Sequence, residues 1–159
     1  MKKYALIVNV VSYVIISLFL GTAVVTSFLS GYPWTLACYD CLACSGACPL
    51  GIEPRGFVTA AMSNDPGLYI PVGNLRLKLS EAAAVDPAMV VVSGGKREKA
   101  AAAVSRGWDP DREVTVHRIR VNDVAKYCFL CGNCDKACPI KLPIGKIIRE
   151  LRDNGKFRR

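Results

Sequence analysis

One run of four cysteines occurs twice in this chain. It reads Cys38-x2-Cys41-x2-Cys44-x3-Cys48-Pro49 and, 90 residues on, Cys128-x2-Cys131-x2-Cys134-x3-Cys138-Pro139, and together the two copies use all eight cysteines. The spacing is the ligand pattern of two [4Fe–4S] clusters. Short C-x-x-C-x-x-C loops let three thiolates converge on three irons of one cubane, so the fourth thiolate must come from elsewhere, and the proline ends the loop. In runs of this kind the fourth cysteine ligates the other cluster. The prediction is therefore crossed: Cys38, Cys41, Cys44 and Cys138 for cluster 1, and Cys128, Cys131, Cys134 and Cys48 for cluster 2. Such pairing staples two distant stretches of chain together.

Two plainer readings of the cysteines fail on spacing. A disulfide framework suits a small secreted chain, but two identical four-cysteine runs do not resemble one. Structural zinc prefers paired C-x2-C knuckles with four ligands per ion, which leaves the third cysteine and the Cys-Pro step unexplained.

The second constraint is apolar. Residues 4–30 form a predicted transmembrane anchor: Ala5 to Leu29 gives 25 mostly apolar residues, and no charge falls between Lys3 and Asp40. As a helix these residues would measure roughly 37 Å, against a hydrocarbon core of roughly 30 Å. A buried core helix of this length so early in the chain is the weaker reading. Leu36-Ala37-Cys38 resembles a lipoprotein cleavage site, but Cys38 opens an intact cysteine run, so the anchor is expected to be retained. Asn9, Tyr13, Ser17 and Gly21 share one face of the helix, a stripe suited to packing on another transmembrane helix. The chain's one histidine, His117, lies far from the span, so a haem in the membrane would belong to a partner.

Residues 31–159 are predicted to form one cluster-bearing domain, with 69–127 as a mixed insertion. After Cys138-Pro139, Pro143 opens an amphipathic helix whose apolar positions are Ile144, Ile147, Ile148 and Leu151, stopped near Asn154-Gly155. After Cys48-Pro49, a matching helix starts at Pro54 with Phe57, Val58 and Ala61 on one side. Each cysteine run thus feeds a helix, and the frame is expected to be mainly α. Within the insertion, Met89 to Val92 and Arg112 to Val121 read as strands. Leu75 to Ala84 is ambiguous. Ser93-Gly94-Gly95 is expected to lead into an alanine-rich helix over Lys96 to Arg106, with Gly107 as its stop. That loop lacks the full phosphate-binding frame, so a plain helix start is the better reading. Asn122 or Asp123 would cap a short helix entering Cys128.

The formal net charge is +8, falling to about +4 once two clusters and their thiolates are counted. The C-terminal cations Lys141, Lys146, Arg149, Arg152, Lys156, Arg158 and Arg159 read as a solvated face or an acidic-partner contact. They lack interleaved aromatics, so no nucleic-acid partner is expected.

Two widely separated C-x2-C-x2-C-x3-C-P runs, each followed by a helix, resemble the α-helical ferredoxin family. Its members include the C-type subunits of heterodisulfide reductases and, more distantly, the iron–sulfur subunits of succinate and fumarate dehydrogenases. The likeness covers about Ala37 to Leu68 and Ala125 to Gly155; the anchor and the long insertion depart from it. It implies that the eight cysteines are ligands and that the chain passes single electrons between a catalytic subunit and another redox centre. The expected fold is thus an α-helical ferredoxin-like two-cluster domain with a mixed α/β insertion and one N-terminal transmembrane helix. The expected function is electron relay in a respiratory or energy-conserving complex, with a membrane quinone or haem subunit as the other partner and no bond-making chemistry in this chain. A free-standing anchored ferredoxin and a structural or redox-sensing iron–sulfur protein remain as alternatives.

Topology draws two opposed arguments. Lys2 and Lys3 precede the span while Gly31 to Leu50 carries no Lys or Arg, which puts the amino terminus in the cytoplasm and the clusters outside. Cubanes, however, are assembled in the cytoplasm, and no twin-arginine signal is present. The charge rule is taken as the expectation.

Overall fold

The computed structural model describes residues 2–29 and 31–157. Ser30, the predicted end of the anchor, and Arg158 and Arg159 of the basic tail lie outside them. The chain opens with helix α1, Lys2–Leu29. Its stretch Tyr4–Leu29 is 26 residues long with a mean hydropathy of 2.2, long and apolar enough to cross a membrane. Its side chains are almost all exposed, so it is not a core helix of this chain. Its last turns are the exception: Ser27 is buried, and α1 packs there on a 3-10 turn at Pro33–Ala37 and on helix α3, Pro54–Ser63.

The expectation of a mainly α domain is corrected by residues 69–120, which build a five-stranded antiparallel sheet. The chain is α+β. Strands β1 (Tyr69–Pro71), β2 (Arg76–Lys78), β3 (Val90–Ser93), β4 (Lys96–Lys99) and β5 (Glu113–Arg120) supply it. β5 lies in the middle, pairing β2 at Lys78↔Glu113, β1 at Tyr69↔Arg120 and β3 at Val91↔Val116, and β4 closes the other edge. Two of the strands, β3 and β5, match the sequence reading, but the rest of the sheet escapes it for two reasons. β1 and β2 are only three residues each, and Lys96–Lys99, expected as helix, pairs with β3 through a two-residue turn. Gly94 and Gly95 both have positive φ, the conformation such a turn needs. The Ser93-Gly94-Gly95 loop is therefore a hairpin, not a helix start.

Three strand-to-helix junctions recur 21 residues apart, at Lys78, Lys99 and Arg120, each with φ near −70° and ψ near 143°. They lead into α4 (Leu79–Val85), α5 (Ala100–Ser105) and α6 (Val121–Tyr127). Each helix buries its first residue and the one three further on: Leu79 and Ala82, Ala100 and Ala103, Val121 and Val124. These pairs lie on one helical face, and α4 packs on β2, α5 on β4 and α6 on β5. Arg120, not Asn122 or Asp123, is the residue that precedes α6. The third unit ends at Cys128, so the sheet delivers the second cysteine run.

The two cysteine runs fold alike. Helices α2 (Ala43–Gly46) and α7 (Asn133–Ala137) lie inside them, and α3 and α8 (Ile144–Asn154) follow. α2 packs on α7 and α3 on α8, while α6 touches both α3 and α8. Positions 90 residues apart match in burial: Phe57 with Ile147, Val58 with Ile148, Ala61 with Leu151. The expected apolar faces of both helices are therefore the ones buried. One continuous core joins them to the sheet through Ile52, Leu79, Met89, Val91, Val116 and Ile119.

Candidate functional site

Backbone conformation aims the cysteines. In the first run Asp40 and Leu42, and beyond it Gly51, have positive φ; their counterparts 90 residues on, Leu130, Gly132 and Lys141, have it too. Leu42 and Gly132 each precede the short helix of their run. A left-handed residue on both sides of Cys41 and of Cys131 curls the loop so that successive thiols turn inward instead of alternating outward. It also turns backbone N–H groups onto sulfur: Leu130 N lies 3.5 Å from Cys128 Sγ, and Leu142 N lies 3.4 Å from Cys138 Sγ.

The thiols gather in two groups. Cys38, Cys41, Cys44 and Cys138 line one cavity, with Asp40, Leu42 and Arg55. Cys48, Cys128, Cys131 and Cys134 line the other, with Asp135, Lys146 and Arg149. Each group takes three cysteines from one run and the fourth from the other. In each group the second cysteine of the run, Cys41 or Cys131, is exposed, and in the first group Cys44 and Cys138 are buried.

The cavities differ in size, at ≈270 Å³ for the second and ≈20 Å³ for the first. Among the described residues, no three His, Cys, Asp or Glu side chains converge closely enough to hold a single metal ion. The four cysteines of each group line one cavity without closing to single-ion distance. Four thiolates suit iron–sulfur chemistry, and the second cavity has room for a cluster. The first has room for little more than a water and would admit one only if the exposed loop Cys38–Leu42 stood further out.

Burial raises the thiol pKa of Cys44 and of Cys128. Cys134 goes furthest, pushed up to about 12 by burial first and then by the Asp135 carboxylate. Asp135 also accepts a hydrogen bond from the Gly145 backbone N–H at 2.8 Å. A metal that takes these sulfurs as thiolates must displace their protons.

The first cavity carries a different charge pattern. Arg55 donates to Asp40 and to Glu53, both within ion-pair reach. These residues, Asp135 and the left-handed positions carry no motif that a sequence reading would single out. His117 lies on β5, where its backbone carbonyl accepts from Val72 N–H, away from both groups of cysteines. Tyr32 donates to Glu150 on α8 and stacks edge-on against Trp34 and Phe157, fastening the segment just beyond α1 to the last helix.

Compared with protein-family models, curated proteins and solved structures, the chain matches none.

Proposed function

We propose that this chain is a membrane-anchored iron–sulfur subunit that relays single electrons within a membrane redox complex. The observation that carries the reading is the crossed grouping of the cysteines, three from one run and one from the other around each of two cavities. Cys38, Cys41, Cys44 and Cys138 would hold one [4Fe–4S] cluster, and Cys128, Cys131, Cys134 and Cys48 the other. Such clusters supply one-electron chemistry, while the protein tunes them through burial, hydrogen bonds to sulfur and nearby charge. The likeness of the cysteine runs to those of heterodisulfide reductase C-type subunits supports the relay role.

The anchor supports a division of labour between the sites. Cys38 is nine residues beyond Leu29, so even an extended tether keeps it within roughly 30 Å of the helix end. The first site would exchange electrons with a quinone or haem in a membrane partner, and the second with a peripheral catalytic subunit. The charge rule favours an extracytoplasmic domain.

Anaerobic iron and sulfide analysis tests the reading, with roughly eight of each expected per chain. Stoichiometric zinc, or no metal, would sink it. Cys138→Ser should damage the cluster held by Cys38, Cys41 and Cys44, and Cys48→Ser the other. The reverse pattern by EPR would refute the crossed assignment.

A further inference from the structure

The two sites differ in what surrounds their exposed edges. Helix α8 sets Lys146 and Arg149 on the wall of the second cavity. One turn on, Arg152 donates to the Cys128 carbonyl at 3.3 Å. All three are solvent-exposed, and among the described residues none makes an ion pair with Asp or Glu. Against these three cations the wall carries one acid, Asp135, already engaged with the Gly145 amide. Cys131 is exposed at the rim, and Phe129, 69% exposed, stands beside Cys128. At the first cavity the one lining cation, Arg55, is answered by two carboxylates, Asp40 and Glu53. Its neighbours Tyr39 and Leu42 are exposed apolar side chains.

We propose that the open edge of the second site docks an acidic electron-carrier protein, with Lys146, Arg149 and Arg152 steering it and Phe129 as the apolar contact. This rests on the reading of Cys48, Cys128, Cys131 and Cys134 as a cluster site. Three unpaired cations on one helix are solvated at a cost only in side-chain freedom, but they give the approach to this edge a positive field. Complementary charge raises encounter rates and selects partners more than it raises final affinity. Phe129, exposed next to Cys128 in the chain, supplies the short-range apolar contact that charge alone lacks. The first edge has no comparable field, so an acidic protein is directed to one site and not to both.

The test uses the full-length protein in mild detergent, loaded with both clusters and pre-reduced. Ferric rubredoxin, an acidic protein, and ferric cytochrome c, a basic one, serve as probes. In each reaction one electron leaves a reduced cluster and converts the probe's Fe(III) to Fe(II). With rubredoxin, the second-order rate constant should fall roughly tenfold as ionic strength rises from about 0.01 to 0.15 M. Cytochrome c should not show that fall. Arg149→Gln and Arg152→Gln should each slow rubredoxin several-fold at low salt, with the EPR signals of both clusters retained. A rate with rubredoxin that ignores salt, or that both variants leave unchanged with clusters intact, would overturn the proposal. So would binding to anionic lipid vesicles that the variants abolish while electron transfer to rubredoxin is untouched. Wild-type protein without iron would overturn the cluster reading itself and the docking proposal with it.

Discussion

Gly56 has no room for a side chain. A Cβ there would overlap Ile70 Cγ2 and stand 3.1 Å from Ile70 Cβ, because α3 crosses β1 at that point. Gly56→Ala should cost about 1–3 kcal/mol, read as a lower urea midpoint at an unchanged m-value. Leu42 presents the opposite case. It holds φ at 60°, which costs a side-chain-bearing residue about 1–2 kcal/mol, whereas its counterpart Gly132 holds 74° freely. Leu42→Gly should therefore stabilise the metal-free protein by up to about 1 kcal/mol and Gly132→Ala destabilise it by a similar amount. Equal effects of one sign in urea unfolding would contradict this. Tyr127, at the end of α6, donates to Glu81 on α4 at 3.1 Å, and burial first, then Glu81, pushes its phenol up to about 12. Because the folded value lies above the ordinary 10.0, the stability it contributes is full below pH 10 and is lost as pH rises from 10 to 12. Tyr127→Phe should remove that alkaline loss, which stability curves measured across this range would reveal.

At the scale of elements, the helices after the cysteine runs were legible because Ile144, Ile147, Ile148 and Leu151, and Phe57, Val58 and Ala61, repeat with helical period and are the residues buried. The sheet was half legible. Val90 to Val92 and Glu113 to Arg120 declare themselves by β-branched residues, but their partners do not. Lys96 to Lys99 is charged and abuts an alanine run, so local propensity favours helix; pairing with Val90 to Ser93 overrides it. Leu75 to Ala84 read ambiguously because it holds two elements, β2 and α4, divided after Lys78. The two four-cysteine runs are legible in the spacing, and the crossed grouping is expected from how such runs ligate clusters, but the unequal cavities are not legible. Their sizes depend on how α2 meets α7 and how the Cys38–Leu42 loop lies, and neither leaves a periodic trace.

At the scale of the whole molecule, the anchor and the folded domain share a small contact. Among the described residues, α1 packs chiefly on the 3-10 turn and α3, and the core lies within residues 32–157. A chain beginning at Gly31 should lose the helical circular dichroism signal of α1 but keep that of the remaining elements and a cooperative urea transition, while losing its need for detergent. Loss of cooperativity would mean that α1 is part of the folding unit. The crossed cavities also impose an order on biosynthesis. Cys138 follows Cys38 by 100 residues, so at about 5–20 residues per second the first run waits about 5–20 s for the cysteine that completes it. The second cavity has its four sulfurs once Cys134 has been translated and the first once Cys138 has, by which time α1 has long since emerged from the ribosome. Any centre that needs all four must therefore be installed into a polypeptide whose long apolar leading helix is already outside the ribosome, and the two cavities receive their last sulfurs within about 1 s of each other.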